Sequence, residues 1–296
     1  MKSNILPEVI TLKIIGGPSS QALACRVAAG LNIKPTVTDF ARFPDNEQYV
    51  QIKENVAGED VALIQSTTTD SDLIALLQLL DACESAKEIT VVIPYMGYAR
   101  QDKKFKDGEA ISARVMAKTV TAPNLKKVYT INLHEKSVLD YFSCPAEDLD
   151  ASKLIAEYAA GLGLKRPLLI APDRGVRSMV KSMASGLNLD WDVFDKTRLA
   201  GDHVVMSDKK MDIEGRDVII VDDMISTGGT MAEAVSILEK NGAHDVYVAC
   251  IHPVLTRNAV IRLSNAGVKE IIATDTIEKV QSRISTAPII IEALKK

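Results

Sequence analysis

Short runs of mostly apolar residues, separated by longer amphipathic stretches, constrain the fold of this chain more than any other feature. The runs are rich in Val and Ile, which is typical of strands buried on both faces of a sheet. Between them, apolar residues recur at helical spacing, as at Leu73, Leu76, Leu77 and Leu80. Strands that alternate with helices predict an α/β fold with mainly parallel sheets flanked by helices. Eight runs follow one another along the chain: residues 12–15, 61–64, 89–93, 128–131, 168–171, 218–221, 246–249 and 271–273.

The grouping of these runs indicates two domains. A chain of 296 residues has room for two domains of roughly 100–200 residues each. The runs separate into two groups of four, and residues 143–148 between them contain Pro145 and several polar residues typical of a connection. We therefore predict an N-terminal α/β domain over residues 1–147 and a C-terminal α/β domain over residues 148–296. The two are expected to be similar in fold, without a letter-by-letter repeat.

The composition is that of an ordinary globular protein. Apolar residues make up 47% of the chain and charged residues 25%. A net charge of -4 argues against a general nucleic-acid-binding protein, and no stretch approaches the ~18 consecutive apolar residues of a membrane helix. The four cysteines lack metal-ligand spacing, and no long apolar segment opens the chain. These features predict a cytoplasmic protein whose cysteines are buried and reduced.

The segment from Val218 to Thr230 carries the most informative motif. An apolar strand ends in Asp222 and Asp223, a small polar loop follows, and helical spacing begins near Met231. Backbone N–H groups and the dipole at a helix N-terminus attract anions, and glycines let a phosphate approach the backbone closely. We therefore expect a phosphate site formed by Ser226, Thr227, Gly228, Gly229 and Thr230.

The two acids of this motif restrict the phosphate compound that fits. Carboxylates repel a phosphate unless they face another group, and vicinal sugar hydroxyls are suitable donors to Asp222 and Asp223. No Gly-Lys-Ser/Thr sequence follows, so the loop is not a Walker loop. The alternative is an ordinary helix capped by Thr230, which does not require two acids, two glycines and three hydroxyls within nine residues. The pattern favours a sugar phosphate. It resembles the ribose-5-phosphate motif shared by type I phosphoribosyltransferases and ribose-phosphate pyrophosphokinases.

A second motif separates these two families. Residues 93–104 pass from an apolar strand through a turn with Gly97 and two tyrosines to Arg100, Gln101 and Asp102. An arginine fork grips phosphate oxygens, and neighbouring amide and carboxylate groups hydrogen-bond other parts of a ligand. The segment closely resembles the ATP-binding segment of ribose-phosphate pyrophosphokinases, which phosphoribosyltransferases lack. The resemblance implies that Arg100, Gln101 and Asp102 hold ATP.

Residues 42–47 resemble another pyrophosphokinase segment, with Asn46 in the place of a glycine. Because asparagine tolerates left-handed backbone better than most residues, we expect the turn to be retained. The resemblance implies that Phe43 lies near the adenine and that Asp45 and Glu47 accept hydrogen bonds from ATP. It also implies that the loop reaches the ATP site of a neighbouring subunit, and hence that the protein is a homo-oligomer.

Two further segments resemble the family's magnesium-linked motifs. Leu133-His134 follows an apolar strand, as does the histidine that contacts magnesium and the ATP phosphates in the family, and Asn132 stands where the family has an aspartate. Asp173 matches the aspartate of a Pro-Asp-x-Gly segment that is tied to a second magnesium and the ribose. The resemblance therefore implies Mg²⁺ as cofactor, with His134 and Asp173 near the metal.

A last segment, Asp195 to Arg198, resembles the start of the family's flexible catalytic loop. The resemblance implies that Lys196 and Arg198 stabilise charge on the group that is transferred. Both residues follow an expected strand over 191–194, and a separation of two positions directs them to one face of an extended segment.

The chain as a whole resembles the shorter, archaeal-type ribose-phosphate pyrophosphokinases. The resemblance implies transfer of the pyrophosphoryl group of ATP to the 1-hydroxyl of ribose 5-phosphate, giving 5-phosphoribosyl 1-pyrophosphate and AMP. The alternatives are a phosphoribosyltransferase, a non-catalytic pyrophosphokinase-like regulatory subunit, and a repressor of phosphoribosyltransferase fold. Residues 105–109 replace an arginine-rich loop of the phosphate-activated members, so the sequence does not predict that form of regulation.

Overall fold

The structure is a computed structural model that describes residues 12–194, 196–198, 204–206 and 212–296. The described chain divides into two compact units. The first contains residues 12–149 together with the C-terminal residues 287–296, and the second contains residues 150–286. Each unit has a parallel sheet flanked by helices, which confirms the predicted fold class.

The first unit is built on a five-stranded parallel sheet in the order β1-β4-β5-β6-β7. A separate antiparallel hairpin, β2-β3, connects the first two of these strands along the chain. The strands are β1 Leu12–Gly16, β2 Thr38–Arg42, β3 Gln48–Ile52, β4 Asp60–Ile64, β5 Glu88–Ile93, β6 Leu125–Ile131 and β7 Ala146–Leu149. The helices are α1 Gln21–Gly30, α2 Asp70–Ala82, α3 Ser112–Thr119 and the C-terminal α8 Ala287–Leu294, with a 3₁₀ helix at Lys136–Tyr141.

Apolar burial explains why these segments form a sheet and its helices. The four strands predicted in this half are all present, and most of their Val, Ile and Leu side chains are fully buried. Helix α2 begins at a capping box in which Thr69 and Asp72 satisfy each other's backbone N–H groups. Its apolar face, which includes Leu76 and Leu79, packs into the same core.

Two features of this unit differ from the prediction. Residues 146–148, interpreted as part of a connection, belong to the edge strand β7, which pairs in parallel with β6. Only Leu149 of this strand is buried, so its sequence lacks the apolar run of an inner strand. The C-terminal helix α8, assigned to the second domain from its place in the sequence, packs on α1 of the first unit. There the Tyr129 hydroxyl donates to the carbonyl oxygen of Ala293 at 3.1 Å.

The second unit is built on a six-stranded parallel sheet in the order β15-β14-β13-β12-β8-β9, beside a two-stranded antiparallel sheet, β10-β11. The strands are β8 Leu168–Ala171, β9 Asp190–Val193, β10 Lys196–Arg198, β11 Val204–Met206, β12 Val218–Met224, β13 Val246–His252, β14 Val268–Thr274 and β15 Ser282–Ile284. The helices are α4 Ser152–Ala160, α5 Arg177–Leu187, α6 Gly229–Lys240 and α7 Ala259–Asn265. The four predicted strands and the strand expected near residues 191–194 are all present. Each of the two parallel sheets therefore presents the carboxyl ends of its strands along one edge, where ligands bind in open α/β sheets.

The burial of the cysteines and the length of the helices can be compared with two further features of the sequence. All four cysteines are free thiols; Cys83 and Cys250 are buried, Cys144 is partly buried and Cys25 is exposed, so burial was predicted correctly for two of them. Among the residues that the structure describes, no helix has the length and apolar character needed to cross a membrane.

Candidate functional site

The phosphate loop of the second unit lies between β12 and α6 and consists of residues 225–228. Gly228 is the N-cap of α6 and has left-handed backbone, with φ of 71° and ψ of 4°. A Cβ on Gly228 would lie 3.3 Å from Leu263 Cγ and 3.4 Å from Ala259 O, so it would face helix α7. The alternative in which Thr230 caps the helix is wrong, because Thr230 already lies inside α6. Glycine is therefore required here by the backbone conformation and by α7.

The backbone N–H groups of this loop form an anion site. Within the described part of the chain, the N–H groups of residues 226–230 donate to no protein acceptor. Consecutive N–H groups at the positive end of a helix dipole bind phosphate. Ser226 is partly buried, and Thr227 and Thr230 are exposed residues of the same loop and first turn. The predicted phosphate-binding residues are thus brought together at one helix N-terminus.

Three carboxylates meet beside this loop. Asp222 and Asp223 lie near the carboxyl end of β12, and Asp173 follows the neighbouring strand β8 by two residues. Burial, the charge of Asp223, a hydrogen bond with Asp223 and the charge of Asp173 together raise the pKa of Asp222 to about 8. Asp222 therefore lies beside two other carboxylates whose charges disfavour its ionised form. Such a site suits a ligand that brings hydroxyl donors, a cation, or both.

Local backbone N–H groups donate to all three carboxylates, including Met224 N to Asp223 Oδ1 at 2.7 Å. The N–H of Gly175 donates to Asp173 Oδ1 at 2.9 Å, which closes the turn after β8. The N–H of Asp223 donates to Asp222 Oδ1 at 2.9 Å. The acids are accordingly positioned by hydrogen bonds from their own turns, at the carboxyl edge of the sheet.

The candidate nucleotide segment of the first unit follows β5 and is tied to the loop after β4. The N–H of Gly97 donates to Thr67 Oγ1 at 2.9 Å, and a Cβ on Gly97 would lie only 2.1 Å from Thr67 O. This approach accounts for the glycine between the two tyrosines. Tyr98 has left-handed backbone, and its hydroxyl donates to the Asp70 carboxylate at the start of α2.

Beyond this turn, Arg100 is exposed, whereas Gln101 and Asp102 are partly buried. Gln101 Nε2 lies 3.1 Å from Lys103 O and 3.3 Å from Glu109 Oε2. Hydrogen bonds from the N–H groups of Phe105 and Lys106 hold the pKa of Glu109 below its usual value. One carboxylate therefore organises the loop that replaces the family's arginine-rich segment, and it contacts a predicted ATP-binding residue.

His134 follows the adjacent strand β6 and is exposed. Asn132, which stands in the place of the family's aspartate, has left-handed backbone with φ of 42°. A carboxylate is nevertheless present: Asp148 Oδ1 accepts from Leu133 N at 2.9 Å and from Thr130 Oγ1 at 2.8 Å. Asp148 lies on β7, so the turn that presents His134 is held by the strand that sequence reasoning missed. The Tyr141 hydroxyl lies 3.3 Å from Asp102 O and links the His134 and Arg100 segments.

The hairpin tip, residues 43–47, forms the predicted turn. Asn46 has φ of 75°, which confirms that asparagine takes the left-handed position of the missing glycine. The Asn46 side chain also accepts from Arg42 Nη1 at 3.2 Å, and Arg42 Nη2 lies 3.1 Å from Ser71 Oγ. Phe43 is half exposed, its ring edge-to-face with Tyr49 at 6.0 Å. Asp45 and Glu47 are exposed on the same tip.

Lys196 and Arg198 are the ends of β10, which pairs in antiparallel fashion with β11, Lys196 opposite Met206 and Arg198 opposite Val204. Their side chains, together with Asp195 and residues 199–203, lie outside the part of the chain that the structure describes. Their catalytic roles therefore stay predictions.

A group of metal-ligand type lies elsewhere among the described residues. Asp217, His244 and Asp245 approach one another at the amino end of β12 and β13, on the sheet edge opposite the phosphate loop. Asp217 Oδ2 already accepts from Lys165 N at 2.6 Å, and Asp217 Oδ1 lies 2.7 Å from His244 Nδ1. Burial acts to raise the pKa of Asp217, but these hydrogen bonds outweigh it and lower the pKa. The group is thus a hydrogen-bonded cluster that ties two strand ends together.

Three residues at the sites were not found from the sequence. Asp148 lies in a segment interpreted as a connection, and Glu109 lies in the segment that departs from the family. Arg262 on α7 donates from Nη1 to Thr227 O at 2.8 Å, across 35 positions of sequence. The only local signal for Arg262 is a cation among apolar residues of a short helix, which does not identify its partner.

Both units therefore place polar side chains at the carboxyl edge of a parallel sheet, and the second adds a phosphate loop, an arrangement typical of α/β proteins that bind phosphate-bearing ligands. Two family models match the chain: the N-terminal domain of ribose phosphate pyrophosphokinase over residues 12–123, and the phosphoribosyl transferase domain over residues 137–283.

Relatives match over nearly the whole chain. It is 60% identical to the ribose-phosphate pyrophosphokinase of Methanosarcina mazei over 97% of its own length and 96% of that protein. It is 45% identical to ribose-phosphate pyrophosphokinase 2 of Archaeoglobus fulgidus, over 95% and 99% of the two chains. The crystal structure of phosphoribosylpyrophosphate synthetase from Mycobacterium smegmatis is similar with a TM-score of 0.83 at 29% identity, over 96% of this chain and 98% of that one. The chain belongs to the ribose-phosphate pyrophosphokinase family.

Proposed function

We propose that this protein transfers the pyrophosphoryl group of ATP to the 1-hydroxyl of ribose 5-phosphate. The observation that carries the proposal is the N-terminal pyrophosphokinase domain over residues 12–123, joined to a phosphoribosyl domain over residues 137–283. In this reaction O1 of the ribose bonds to the β-phosphorus of ATP, the bond from that phosphorus to the α,β-bridging oxygen breaks, and AMP leaves. The hydroxyl proton is released to solvent.

The second unit supplies the ribose 5-phosphate site in this proposal. The N–H groups of residues 226–230 bind the 5-phosphate, and Asp222 and Asp223 accept hydrogen bonds from the ribose hydroxyls. The raised pKa of Asp222, which comes from burial and from the charges of Asp223 and Asp173, supports this assignment because hydroxyl donors stabilise an ionised carboxylate. Charge-assisted bonds of this kind contribute about 1.5–3 kcal/mol each.

The first unit supplies nucleotide contacts. Arg100 binds phosphate oxygens, and Gln101 and Asp102 hydrogen-bond the nucleotide. The half-exposed ring of Phe43 packs near the adenine, with Asp45 and Glu47 as acceptors on the same hairpin tip. We propose that this tip acts in a neighbouring subunit, so that the protein is a homo-oligomer of at least two chains.

Magnesium is the proposed cofactor, because it prefers hard oxygen ligands such as those of carboxylates, phosphates and water. His134 of the first unit is proposed to lie near an ion on the ATP phosphates, and Asp173 of the second unit near a second ion beside the ribose. When bound, magnesium neutralises charge on the triphosphate. Lys196 and Arg198 are proposed to meet the charge that develops on the transferring group. Positioning and charge neutralisation are the main needs of a phosphoryl-type transfer.

One assay tests this function and its alternatives. The protein is mixed with ATP, Mg²⁺ and ribose 5-phosphate, and the nucleotide products are separated. We expect AMP to form only when ribose 5-phosphate is present. In a parallel mixture that holds 5-phosphoribosyl 1-pyrophosphate and a base, a phosphoribosyltransferase would instead release pyrophosphate, whereas a regulatory subunit would form neither product. ADP in place of AMP, or no ribose-dependent product, would contradict the proposal.

A further inference from the structure

We propose that Arg262 is a positioning residue for the phosphate loop: its guanidinium holds the carbonyl of Thr227 so that the N–H of Gly228 faces the bound phosphate. The inference rests on the proposed function only in taking ribose 5-phosphate as the ligand of this loop. It assigns a role to a side chain on α7, a helix that the binding motif does not include.

Three successive carbonyl groups of the loop are held by one neighbouring segment. The oxygen of Ile225 accepts from Leu255 N at 2.8 Å, and that of Ser226 accepts from Thr256 N at 3.0 Å. The oxygen of Thr227 accepts from Arg262 Nη1 at 2.8 Å. In an extended strand successive carbonyls point to alternate sides. Their common direction here requires the curled backbone of an anion-binding nest.

The planarity of the peptide bond converts this arrangement into a phosphate site. A carbonyl oxygen and the following N–H lie in one plane and point in opposite directions across a trans peptide. Holding the oxygens of residues 225–227 against the segment 255–262 therefore turns the N–H groups of residues 226–228 away from it. These are among the N–H groups that donate to no protein acceptor in the described chain. The backing segment thus sets the direction of the donors.

Of these three donors, Arg262 alone uses its side chain, whereas Leu255 and Thr256 donate through their backbone N–H groups. The helix that carries it is firmly seated, since Ala259 and Leu263 on either side are fully buried. Its second nitrogen, Nη2, lies 3.3 Å from Asn258 Oδ1, so the guanidinium spans two acceptors. A planar fork satisfies two acceptors at once, whereas a lysine ammonium offers a single point of charge.

The test measures ribose 5-phosphate binding by calorimetry and the Michaelis constants of both substrates. Arg262→Ala is expected to weaken ribose 5-phosphate binding about tenfold or more, the effect of losing one charge-assisted hydrogen bond. The Michaelis constant for ribose 5-phosphate should rise by the same factor, while that for ATP stays within about twofold of wild type. Asn258→Ala should weaken binding in the same direction by a smaller factor.

Arg262→Lys separates positioning from simple attraction between charges. The variant keeps the positive charge but cannot hold both acceptors, so a clear loss of affinity is expected. Wild-type affinity in the lysine variant, or an equal effect on both substrates in the alanine variant, would overturn the proposal. Arg283→Ala is the matched control, because it removes the same charge from β15. Strands β14 and β13 lie between β15 and β12 in the sheet, so this variant should bind ribose 5-phosphate normally. Calorimetry measures binding without turnover. If the wild-type protein bound ribose 5-phosphate but formed no AMP, the proposed function would be wrong, yet the effect of Arg262 on binding could still be measured.

Discussion

At the scale of single residues, Asp222 shows a binding requirement that acts against stability. Its carboxylate is partly buried beside Asp223 and Asp173, and the pKa of about 8 means that the folded protein binds a proton there more tightly than the unfolded chain does. The ionised form is therefore destabilised in the ligand-free protein. A residue kept under such a cost is expected to serve a ligand.

This predicts a pH-dependent gain in stability for Asp222→Asn. The folded-state pKa lies above the unfolded value of about 3.8, so the wild-type penalty is absent below that pH, grows through neutral pH and is complete above about 8. The variant should melt at least ~3 °C above wild type at pH 9, with the difference shrinking towards pH 4. Calorimetry of ligand-free, metal-free protein measures this, with the exposed Asp81→Asn on α2 as control. An equal difference at both pH values would argue against the assigned cause.

Gly228 gives a second prediction at this scale. In Gly228→Ala the new residue must adopt left-handed backbone, which costs ~1–2 kcal/mol. Its Cβ would also make close contacts with Leu263 and Ala259. Because the helix start would shift, we expect the Michaelis constant for ribose 5-phosphate to rise about tenfold, and that for ATP much less.

The control for this prediction is Gly215→Ala. Gly215 has a similar φ of 67°, but a Cβ placed on it would have no neighbour within 4 Å, so it carries the backbone cost alone. Steady-state kinetics on both variants separate the two effects. If Gly228→Ala impaired both substrates equally, the glycine would not belong to the ribose 5-phosphate site.

Some residue positions were predictable and others were not, for a physical reason. Asn46 was expected to take left-handed backbone because that preference is a property of the residue itself. The contacts of Arg262 with Thr227 and of Asp148 with Leu133 join segments that are distant in sequence. No local pattern specifies such partners, so they appear only once the fold is known.

At the scale of elements, strands with a clear local apolar pattern were predicted, and strands without one were missed. Eight of the predicted strands were recognised from mostly apolar runs, which reflect burial within the two sheets. The hairpin β2-β3 and the edge strand β7 were missed because their residues are half exposed and largely polar. The hairpin presents Phe43 at its tip and β7 carries Asp148, so the parts hardest to predict include parts of the candidate site.

The strand β10 carries the prediction for catalysis. Lys196→Ala is expected to lower turnover about a hundredfold or more, because removing one group that stabilises transition-state charge commonly costs ~10²–10³. Binding of ATP and ribose 5-phosphate should change much less. Single-turnover release of AMP, measured beside ATP affinity by calorimetry, tests this. Thr197→Ala, the intervening strand position, is the control. A loss explained wholly by weaker ATP binding would remove Lys196 from the catalytic role.

At the scale of the whole molecule, the C-terminal helix shows where sequence order misleads. Residues 287–296 follow the second unit along the chain, yet they pack in the first unit through contacts such as that of Tyr129 with Ala293. The apolar pattern of α8 predicts burial but does not state against which sheet. Domain bounds read from the sequence alone therefore miss this return of the chain.

Assembly gives a prediction at the same scale. If the hairpin tip acts in a neighbouring subunit, Glu47→Ala and Arg100→Ala should each be inactive alone but regain activity when mixed and allowed to exchange subunits. The reason is that some mixed sites then combine an intact tip with an intact Arg100 segment. Light scattering gives the oligomeric state of each sample. A fully active monomer, or no recovery in a mixture shown to exchange, would contradict a shared site.

The most direct test of pyrophosphoryl transfer uses ATP that carries ³²P in its γ-phosphate and measures which product contains the label. Pyrophosphoryl transfer moves the β- and γ-phosphates together, so the label should appear in the sugar product, with one AMP formed for each labelled sugar. The Asp223→Asn variant, with its weakened ribose site, should show the same products at a lower rate. Label in the sugar accompanied by ADP, or label found only in orthophosphate, would contradict the transfer that we propose.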